Sequence, residues 1–278
     1  QQAYIWSEVS GAKDKEYGKV VISRTYKPEE EMTVKPGENL VIDFGQNCAG
    51  VPEFEFSAAE GTVLTFLPAE LLNDGNGALS RGMDGPEGSV HRTNLRTPES
   101  GMRLVYTFGP KKSYAVYHPS CTFFGYRYAS VSATAEVKIR SVVTLPVSSI
   151  TQEMETGQIT TGNELVNKLI SNTLWGERSN YLSVPTDCPQ RNERLGWTAD
   201  TQVFAETGTF FANTDSFFHK WTRDLRDTQS PTGAYPGVAP LAQYGASSHE
   251  MMRLGWADAG GIVPWVIWRQ FADSRIID

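Results

Sequence analysis

The hydrophobic pattern of this 278-residue chain changes once, near Ile150. Before that point, short runs of alternating apolar and polar residues are separated by glycine and proline, as at 51–56. Such alternation is typical of half-buried strands. After that point, apolar residues recur three and four positions apart, which is typical of helices packed on a core. The sequence therefore predicts an antiparallel β-sandwich followed by a helical domain.

The segments with the strand pattern all lie before residue 145. They are 17–26, 40–44, 51–56, 62–67, 102–108, 113–117, 126–131 and 137–143. A turn is predicted at 45–47, and a long loop at 73–88, where glycine, aspartate and asparagine accumulate. We assign residues 37–150 to the β-sandwich domain and residues 1–36 to a linker or the tail of an upstream module.

Four helices are predicted within residues 151–278, where helical periodicity and capping residues coincide. The first begins near Asn163, the second covers 197–211, the third begins at Thr214 and the fourth covers 256–271. Pro264 either kinks the last helix or marks its true first turn. Helices joined by long loops fit a toroid of helical hairpins. Four helices of a toroid would leave some apolar side chains without partners, and we expect this of Phe210, Phe217 and Trp221.

The stretch 187–200 carries most of the chemistry, with the sequence Asp-Cys-Pro-Gln-Arg-Asn-Glu-Arg-Leu-Gly-Trp-Thr-Ala-Asp. Pro189 and Gly196 oppose a single regular element, so we expect an irregular loop followed by a helix. Carboxylates, guanidiniums and an indole together suit a sugar, which offers hydroxyls, an apolar face and a leaving oxygen. The same residues would also suit a solvated loop, with Asp187 or Asp200 capping a helix.

This stretch resembles the signature of bacterial α-L-rhamnosidases, glycoside hydrolase family 78, which carries Asp-Cys-Pro-Gln-Arg, Glu-Arg, Gly-Trp and a closing Asp. One position departs, because Ala199 stands where the family often has Gly. The segment 256–259, Trp-Ala-Asp-Ala, resembles the second family motif Trp-x-Asp-Ala. Segments 43–50 and 117–128 resemble the β-domain that precedes the catalytic domain in this family.

The resemblance implies that residues 151–278 are the first helices of an (α/α)6 barrel, truncated before the later ones. It implies an inverting glycosidase that releases terminal α-L-rhamnose, with Glu193 as the general acid. The implied substrate-binding residues are Asp187, Arg191, Trp197, Asp200 and Trp256. The general base would be a Glu beyond residue 278, so we expect this chain alone to be inactive. A related (α/α)6 glycosidase for another sugar and a non-catalytic carbohydrate-binding or structural fragment stay open as alternatives.

Net charge, apolar runs and cysteine spacing restrict the kinds of partner that the chain can bind. The net charge of −7 argues against non-specific binding of nucleic acid, and no apolar run reaches the length of a membrane span. Three widely spaced cysteines form neither a disulfide framework nor a zinc pattern, and we predict no cofactor or metal. The expected partners are a rhamnose-containing glycoside or polysaccharide and the rest of the catalytic domain. The compartment, whether cytoplasmic, periplasmic or secreted in a bacterium, is left open.

Overall fold

The computed structural model describes residues 2–13, 17–27, 29–75, 84–96, 101–110, 113–241 and 252–277. By its internal contacts the chain divides into two compact units. The first is Gln1–Val147 with Gln190–Asn192, and the second is Ser148–Pro189 with Glu193–Asp278. The division at Val147 lies next to the change of hydrophobic pattern near Ile150. We describe each unit separately.

The first unit is built from antiparallel strands. They are β1 Gln2–Ser10, β2 Lys19–Tyr26, β3 Met32–Val34, β4 Asn39–Ala58, β5 Val63–Ala69, β6 Leu71–Leu72, β7 Val90–His91, β8 Leu104–Thr107, β9 Tyr114–Tyr117, β10 Phe124–Ala133 and β11 Val137–Pro146. Within the described ranges, nine of them form one curled sheet, with β2-β1-β4-β10-β5-β8 as its main path and β3, β9 and β11 branching from it. The short strands β6 and β7 pair with each other.

Strand β4 organises this sheet. Its first part pairs with β1 and β10, and its second part pairs with β11 and β9. The predicted turn at 45–47 is wrong, because the chain continues there as strand. Gly45 adopts a φ of 86°, its amide donates to Asp43 Oδ1 at 2.7 Å, and the register with β10 shifts between Tyr126 and Tyr128. Glycine thus absorbs an irregularity without reversing the chain.

The segment predicted as a linker or tail contributes strands to the same sheet. Ala3 and Ile5 of β1 are buried, and Ile5 lies opposite Leu40 of β4. Aromatic side chains fill the core of this unit, where the ring centroids of Phe56 and Phe66 lie 5.4 and 5.7 Å from that of Phe54. A core of this kind makes residues 2–10 part of the folded unit rather than an extended connection.

The second unit contains the four predicted helices. They are α1 Glu164–Asn180, α2 Thr198–Phe211, α3 Asp215–Asp227 and α4 Ala259–Phe271, with a small hairpin of β12 Tyr181–Leu182 and β13 Val184–Pro185 after α1. The predicted cap is confirmed, since Asn163 Oδ1 accepts the amides of Leu165 and Val166 at 2.9 and 3.3 Å. Helix α4 begins at Ala259 rather than residue 256, and Pro264 lies inside it.

The helical core differs from the expectation in one respect. Phe217 and Trp221 of α3 are buried, so the prediction that they lack partners is wrong. They pack with Ala205 of α2 and with Val263 and Ile267 of α4. Phe210, the third residue of that prediction, is 45% exposed, and Leu165 at 82%, Leu169 at 64% and Val203 at 81% are also exposed apolar side chains of this unit. None of the helices in the described ranges is long and apolar enough to cross a membrane.

Candidate active site

Hydrogen bonds hold the start of the signature loop to the end of α1. After α1, the β12–β13 hairpin turns at Ser183, which adopts a φ of 66°. The amide and the hydroxyl of Thr186 then both donate to the carbonyl of Asn180, at 2.8 and 2.9 Å. The chain therefore reaches Asp187 from a constrained direction, tied to the end of α1.

Asp187 closes the loop on itself. Its amide donates to the carbonyl of Leu195 at 3.0 Å, and its Oδ1 accepts the amide of Leu195 at 3.0 Å. The guanidinium of Arg194, whose backbone φ is 53°, donates through Nε to the carbonyl of Pro189 at 3.1 Å. The predicted irregular loop is confirmed, because no regular element lies between Pro185 and Thr198. One carboxylate oxygen of Asp187 therefore stabilises the loop by accepting the Leu195 amide.

Glu193 is oriented by an indole. The Nε1 of Trp197, at the residue before α2, donates to Glu193 Oε1 at 3.0 Å. A hydrogen bond to one oxygen restrains the orientation of the carboxyl group. The hydrogen bond links Trp197 directly to the predicted acid.

The three carboxyl groups of the signature lie close enough to influence one another. One carboxylate oxygen of Asp187, one of Glu193 and the Sγ of Cys188 all lie within 4.8 Å of one another. The pKa of Asp200 is raised, first by partial burial and then by the charges of Asp187 and Glu193. The two carboxylates and the thiol of Asp187, Glu193 and Cys188 could also bind a cation.

The other two predicted residues are placed separately. By its contacts Arg191 belongs to the first unit. There its charge opposes the rise that burial causes in the pKa of Glu70, a carboxyl that also accepts hydrogen bonds from Asn47 and Asn94. Trp256 lies in the turn before α4, with the Arg253 guanidinium 4.0 Å from its ring centroid. No contact of Trp256 with the signature acids is among the described interactions.

Segment 237–239 forms hydrogen bonds with the C-terminal end of the signature loop. The carbonyl of Gly196 accepts the amide of Ala239 at 3.0 Å, and Thr198 donates through its amide and hydroxyl to the carbonyl of Gly237 at 3.0 and 2.9 Å. The buried indole of Trp221 donates to the carbonyl of Ala239 at 3.0 Å. A Cβ on Gly196 would lie 2.1 Å from that carbonyl oxygen, so only glycine fits there.

A cavity of about 540 Å³ adjoins the signature acids within the helical unit. Asp187 and Asp200 line it, together with Glu177, Asn180 and Tyr181, which lie outside the sequence motifs. Glu177 is only 2% exposed. One signal was available, because Ile170, Leu174, Glu177 and Tyr181 follow helical spacing and Glu177 therefore occupies the apolar stripe of α1.

Burial gives Glu177 an unusual pKa. Burial first, and then the charge of Glu155, raise it from 4.5 to about 8, while Arg178 acts in the opposite direction. Arg178 is itself held by Glu155 through two hydrogen bonds of 2.6 Å. The nearby hydroxyl of Tyr181, whose pKa burial also raises, is not a compensating charge at neutral pH. Glu177 is therefore a neutral carboxylic acid at pH 6.

This raised pKa makes the stability of the fold depend on pH. The folded state holds the Glu177 proton more tightly than the unfolded state, so its contribution is complete below pH 4.5 and is lost as pH rises through about 8. We expect the free energy of unfolding to fall by a few kcal/mol between pH 5 and pH 9. Denaturant unfolding of Glu177→Gln should show a smaller fall. The exposed Glu164→Gln on the same helix should match the wild type, and equal slopes in all three proteins would contradict the assignment.

Comparison with known proteins identifies the class of the helical unit. Residues 154–278 match the bacterial alpha-L-rhamnosidase 6 hairpin glycosidase domain, so α1–α4 and the carboxylate loop belong to a glycosidase domain of the helical-hairpin class. Residues 33–148 match the bacterial alpha-L-rhamnosidase concanavalin-like domain. The two matches cover most of the chain, and the chain belongs to the bacterial α-L-rhamnosidase family.

Individual relatives agree with this assignment. An α-L-rhamnosidase of Streptomyces avermitilis is 35% identical over 260 residues, which is 94% of this chain and 23% of the relative. One from Formosa agariphila is 31% identical over 90% of this chain and 25% of the relative. The crystal structure of the Streptomyces avermitilis enzyme complexed with L-rhamnose superposes with a TM-score of 0.70, covering 86% of this chain and 21% of that one. The chain thus spans about a quarter of the length of these relatives.

Proposed function

We propose that this chain is part of an inverting glycoside hydrolase that releases terminal α-L-rhamnose from glycosides. The observation that carries the proposal is the Glu193 carboxyl, held by the indole of Trp197 beside Asp187. A proton donor with a fixed direction is what cleavage of a glycosidic bond requires, since the departing oxygen must be protonated as the bond breaks. Relatives named α-L-rhamnosidases and a homologue with bound L-rhamnose support the choice of sugar.

The proposed roles follow from the chemistry of each side chain. Glu193 protonates the leaving oxygen. Asp200, and Asp187 through the oxygen that does not hold Leu195, accept hydrogen bonds from sugar hydroxyls. Trp256 offers an apolar surface for the ring face and methyl group of rhamnose. Arg191 braces the acids or reaches the sugar.

Inversion requires a second carboxylate, which activates water on the opposite face of the sugar about 6.5–9.5 Å from the acid. We propose that this base is a Glu in a part of the protein beyond residue 278. The same proposal makes the helical unit the first part of an (α/α)6 barrel and the sheet unit a β-sandwich domain, with the boundary near residue 150. Exposed Leu165 and Val203 support it, because further helices would cover them.

A panel of nitrophenyl glycosides, offered to the complete protein, tests the activity. We expect hydrolysis of the α-L-rhamnoside at the highest kcat/KM. Preferred hydrolysis of another deoxy-sugar or of a uronide would support the related-glycosidase alternative. Binding of sugar without any hydrolysis would support the carbohydrate-binding alternative.

The 278-residue chain by itself provides a separate prediction. Because it lacks the proposed base, we expect no rhamnosidase turnover from the purified chain, and because Leu165 and Val203 are exposed, we expect it to unfold at lower temperature than the complete protein. Activity and thermal unfolding are measured on both proteins side by side. Turnover by the chain near the rate of the complete protein would contradict the proposal, since the base would then lie within residues 1–278.

A further inference from the structure

The cavity beside the signature acids has the size of a small-molecule site. Its volume of about 540 Å³ lies within the range of about 300–1,000 Å³ that ligand pockets occupy. One wall is the end of α1 with Glu177 and Tyr181, and another is the start of α2 with Asp200 and Phe204. Residues with polar groups and an aromatic ring therefore line one volume, beside the acids to which we assign sugar binding.

Two residues that line this cavity each carry a buried polar atom with no hydrogen bond to the described part of the chain. Glu177 Oε1 and the hydroxyl of Tyr181 have no hydrogen-bond partner among the described residues, although Glu177 is 2% and Tyr181 is 3% exposed. A buried polar atom without a hydrogen bond destabilises the fold unless something satisfies it. Buried polar groups are almost always paired in folded proteins, so two on one cavity wall require an explanation.

Packing holds the Tyr181 side chain in place. The Tyr181 ring stacks on Phe217 with centroids 4.6 Å apart and planes 14° apart. Its hydroxyl lies so close to α2 that a Cβ on Gly208 would stand 2.6 Å from it. The neighbouring cation is also occupied, because Arg178 pairs with Glu155. A group that enters the cavity can supply the partner that Glu177 lacks among the described residues.

The chemistry of the wall specifies that occupant. A neutral carboxylic acid donates one hydrogen bond and accepts others, and a phenol does the same. A hydroxyl group can both accept and donate, so it satisfies either of them. Asp187 and Asp200 add acceptors, and Phe204 adds an apolar face. A polyhydroxylated sugar with one apolar face combines these features.

We propose that Glu177 is a further sugar-binding residue, which exchanges hydrogen bonds with a hydroxyl of the sugar held in this cavity, with Tyr181 beside it. The inference rests on the proposed function, because it places the sugar of that reaction against α1. It assigns Glu177 to recognition of the sugar and leaves proton transfer to Glu193.

Steady-state kinetics of the complete protein on a nitrophenyl α-L-rhamnoside at pH 6 test this. Glu177→Leu keeps the approximate volume and removes the hydrogen bonds, so we expect KM to rise roughly 5- to 50-fold with kcat within about twofold. Glu177→Gln keeps a donor and an acceptor and should restore KM to within about twofold of wild type. Glu164→Gln, an exposed carboxyl on the same helix, is the matched control. An unchanged KM in Glu177→Leu would overturn the inference and leave Glu177 a structural group.

The pH dependence of KM gives a second readout, which also serves if Glu177→Leu fails to fold. Above pH 8 the wild-type carboxyl loses the proton that it donates, so KM should rise, whereas KM of Glu177→Gln should stay flat over the same range. Identical profiles for the two proteins would overturn the inference.

Failure of the proposed function is distinguishable from failure of this inference. If the wild type hydrolyses a different glycoside and no rhamnoside, the proposed sugar is wrong, and the Glu177→Leu comparison is made on that glycoside instead. A raised KM there supports the role of Glu177, and an unchanged KM overturns it. If the wild type neither hydrolyses nor binds any sugar of the panel, both are overturned.

Discussion

Replacing Glu193 by Gln in the complete protein is expected to lower kcat on natural rhamnosides by roughly 10²–10⁴-fold, the usual contribution of a general acid. The amide can still accept the Trp197 indole hydrogen bond, so the loop should keep its geometry while the donated proton is lost. A nitrophenol leaves without help, so the loss on a nitrophenyl rhamnoside should be much smaller. The ratio of the two losses is the quantity to measure.

Glu206→Gln is the control for this substitution. Glu206 is an exposed carboxylate of α2 outside the signature, and it pairs with Arg269 at 2.7 Å. We expect it to behave nearly as wild type on both substrates. Equal losses on both leaving groups in Glu193→Gln would mean that Glu193 binds or orients the sugar. Asp200, whose pKa is raised beside the other acids, would then be the next candidate for the proton donor.

Gly196→Ala is expected to destabilise the helical unit by about 1–3 kcal/mol or more and to remove activity with it. The new Cβ would stand 2.1 Å from the carbonyl oxygen of Ala239 and 3.2 Å from Trp221 Nε1. Both belong to backbone or buried core, so relief requires that 236–239 move away from the loop. The Trp221–Ala239 and Ala239–Gly196 hydrogen bonds would be lost with that movement. Denaturant unfolding of the 278-residue chain measures the effect.

Gly261→Ala provides the matched comparison for Gly196→Ala. Gly261 lies in α4, and a Cβ there would meet nothing within 4 Å. Alanine in a helix is favoured over glycine by about 1 kcal/mol, so this variant should be as stable as wild type or more stable. A Gly196→Ala protein with wild-type stability would show that the segment 236–239 does not fix the end of the signature loop.

Local signals explain what the sequence could predict. Helices α1–α4 follow from apolar spacing and from caps such as Asn163, which depend on neighbours within one or two turns. The cluster of Asp187, Glu193 and Trp197 was predictable for the same reason, because these residues lie within one short loop whose Pro189 and Gly196 exclude regular structure. The short segment that joins these residues keeps them close together, independently of long-range packing.

Long-range packing explains what the sequence could not predict. The continuous course of β4 through Gly45 depends on its pairing with β10, far along the chain. Burial of Trp221 depends on α4 and on the carbonyl of Ala239. The position of Glu177 at the same cavity as Tyr181, Asp187 and α2 follows from packing between elements.

Trp256 and Arg191 show the same limit within the predicted site. The carbonyl of Gly255, just before Trp256, accepts the Gln202 side chain at 2.6 Å, which ties that segment to α2. This contact does not place the Trp256 ring against the acids. The contacts of Arg191 group it with the sheet unit, which no pattern within 187–200 could indicate. Their roles in sugar binding stay predictions.

The stereochemistry of the first product tests the central claim most directly. Proton NMR of the anomeric region, recorded in the first minutes after the complete protein is mixed with a nitrophenyl α-L-rhamnoside, distinguishes the newly formed anomers before they equilibrate. Inverting release of terminal α-L-rhamnose with Glu193 as the acid predicts that β-L-rhamnose appears first and the α anomer accumulates later by mutarotation. Initial formation of α-L-rhamnose, or of no rhamnose at all, would contradict the account.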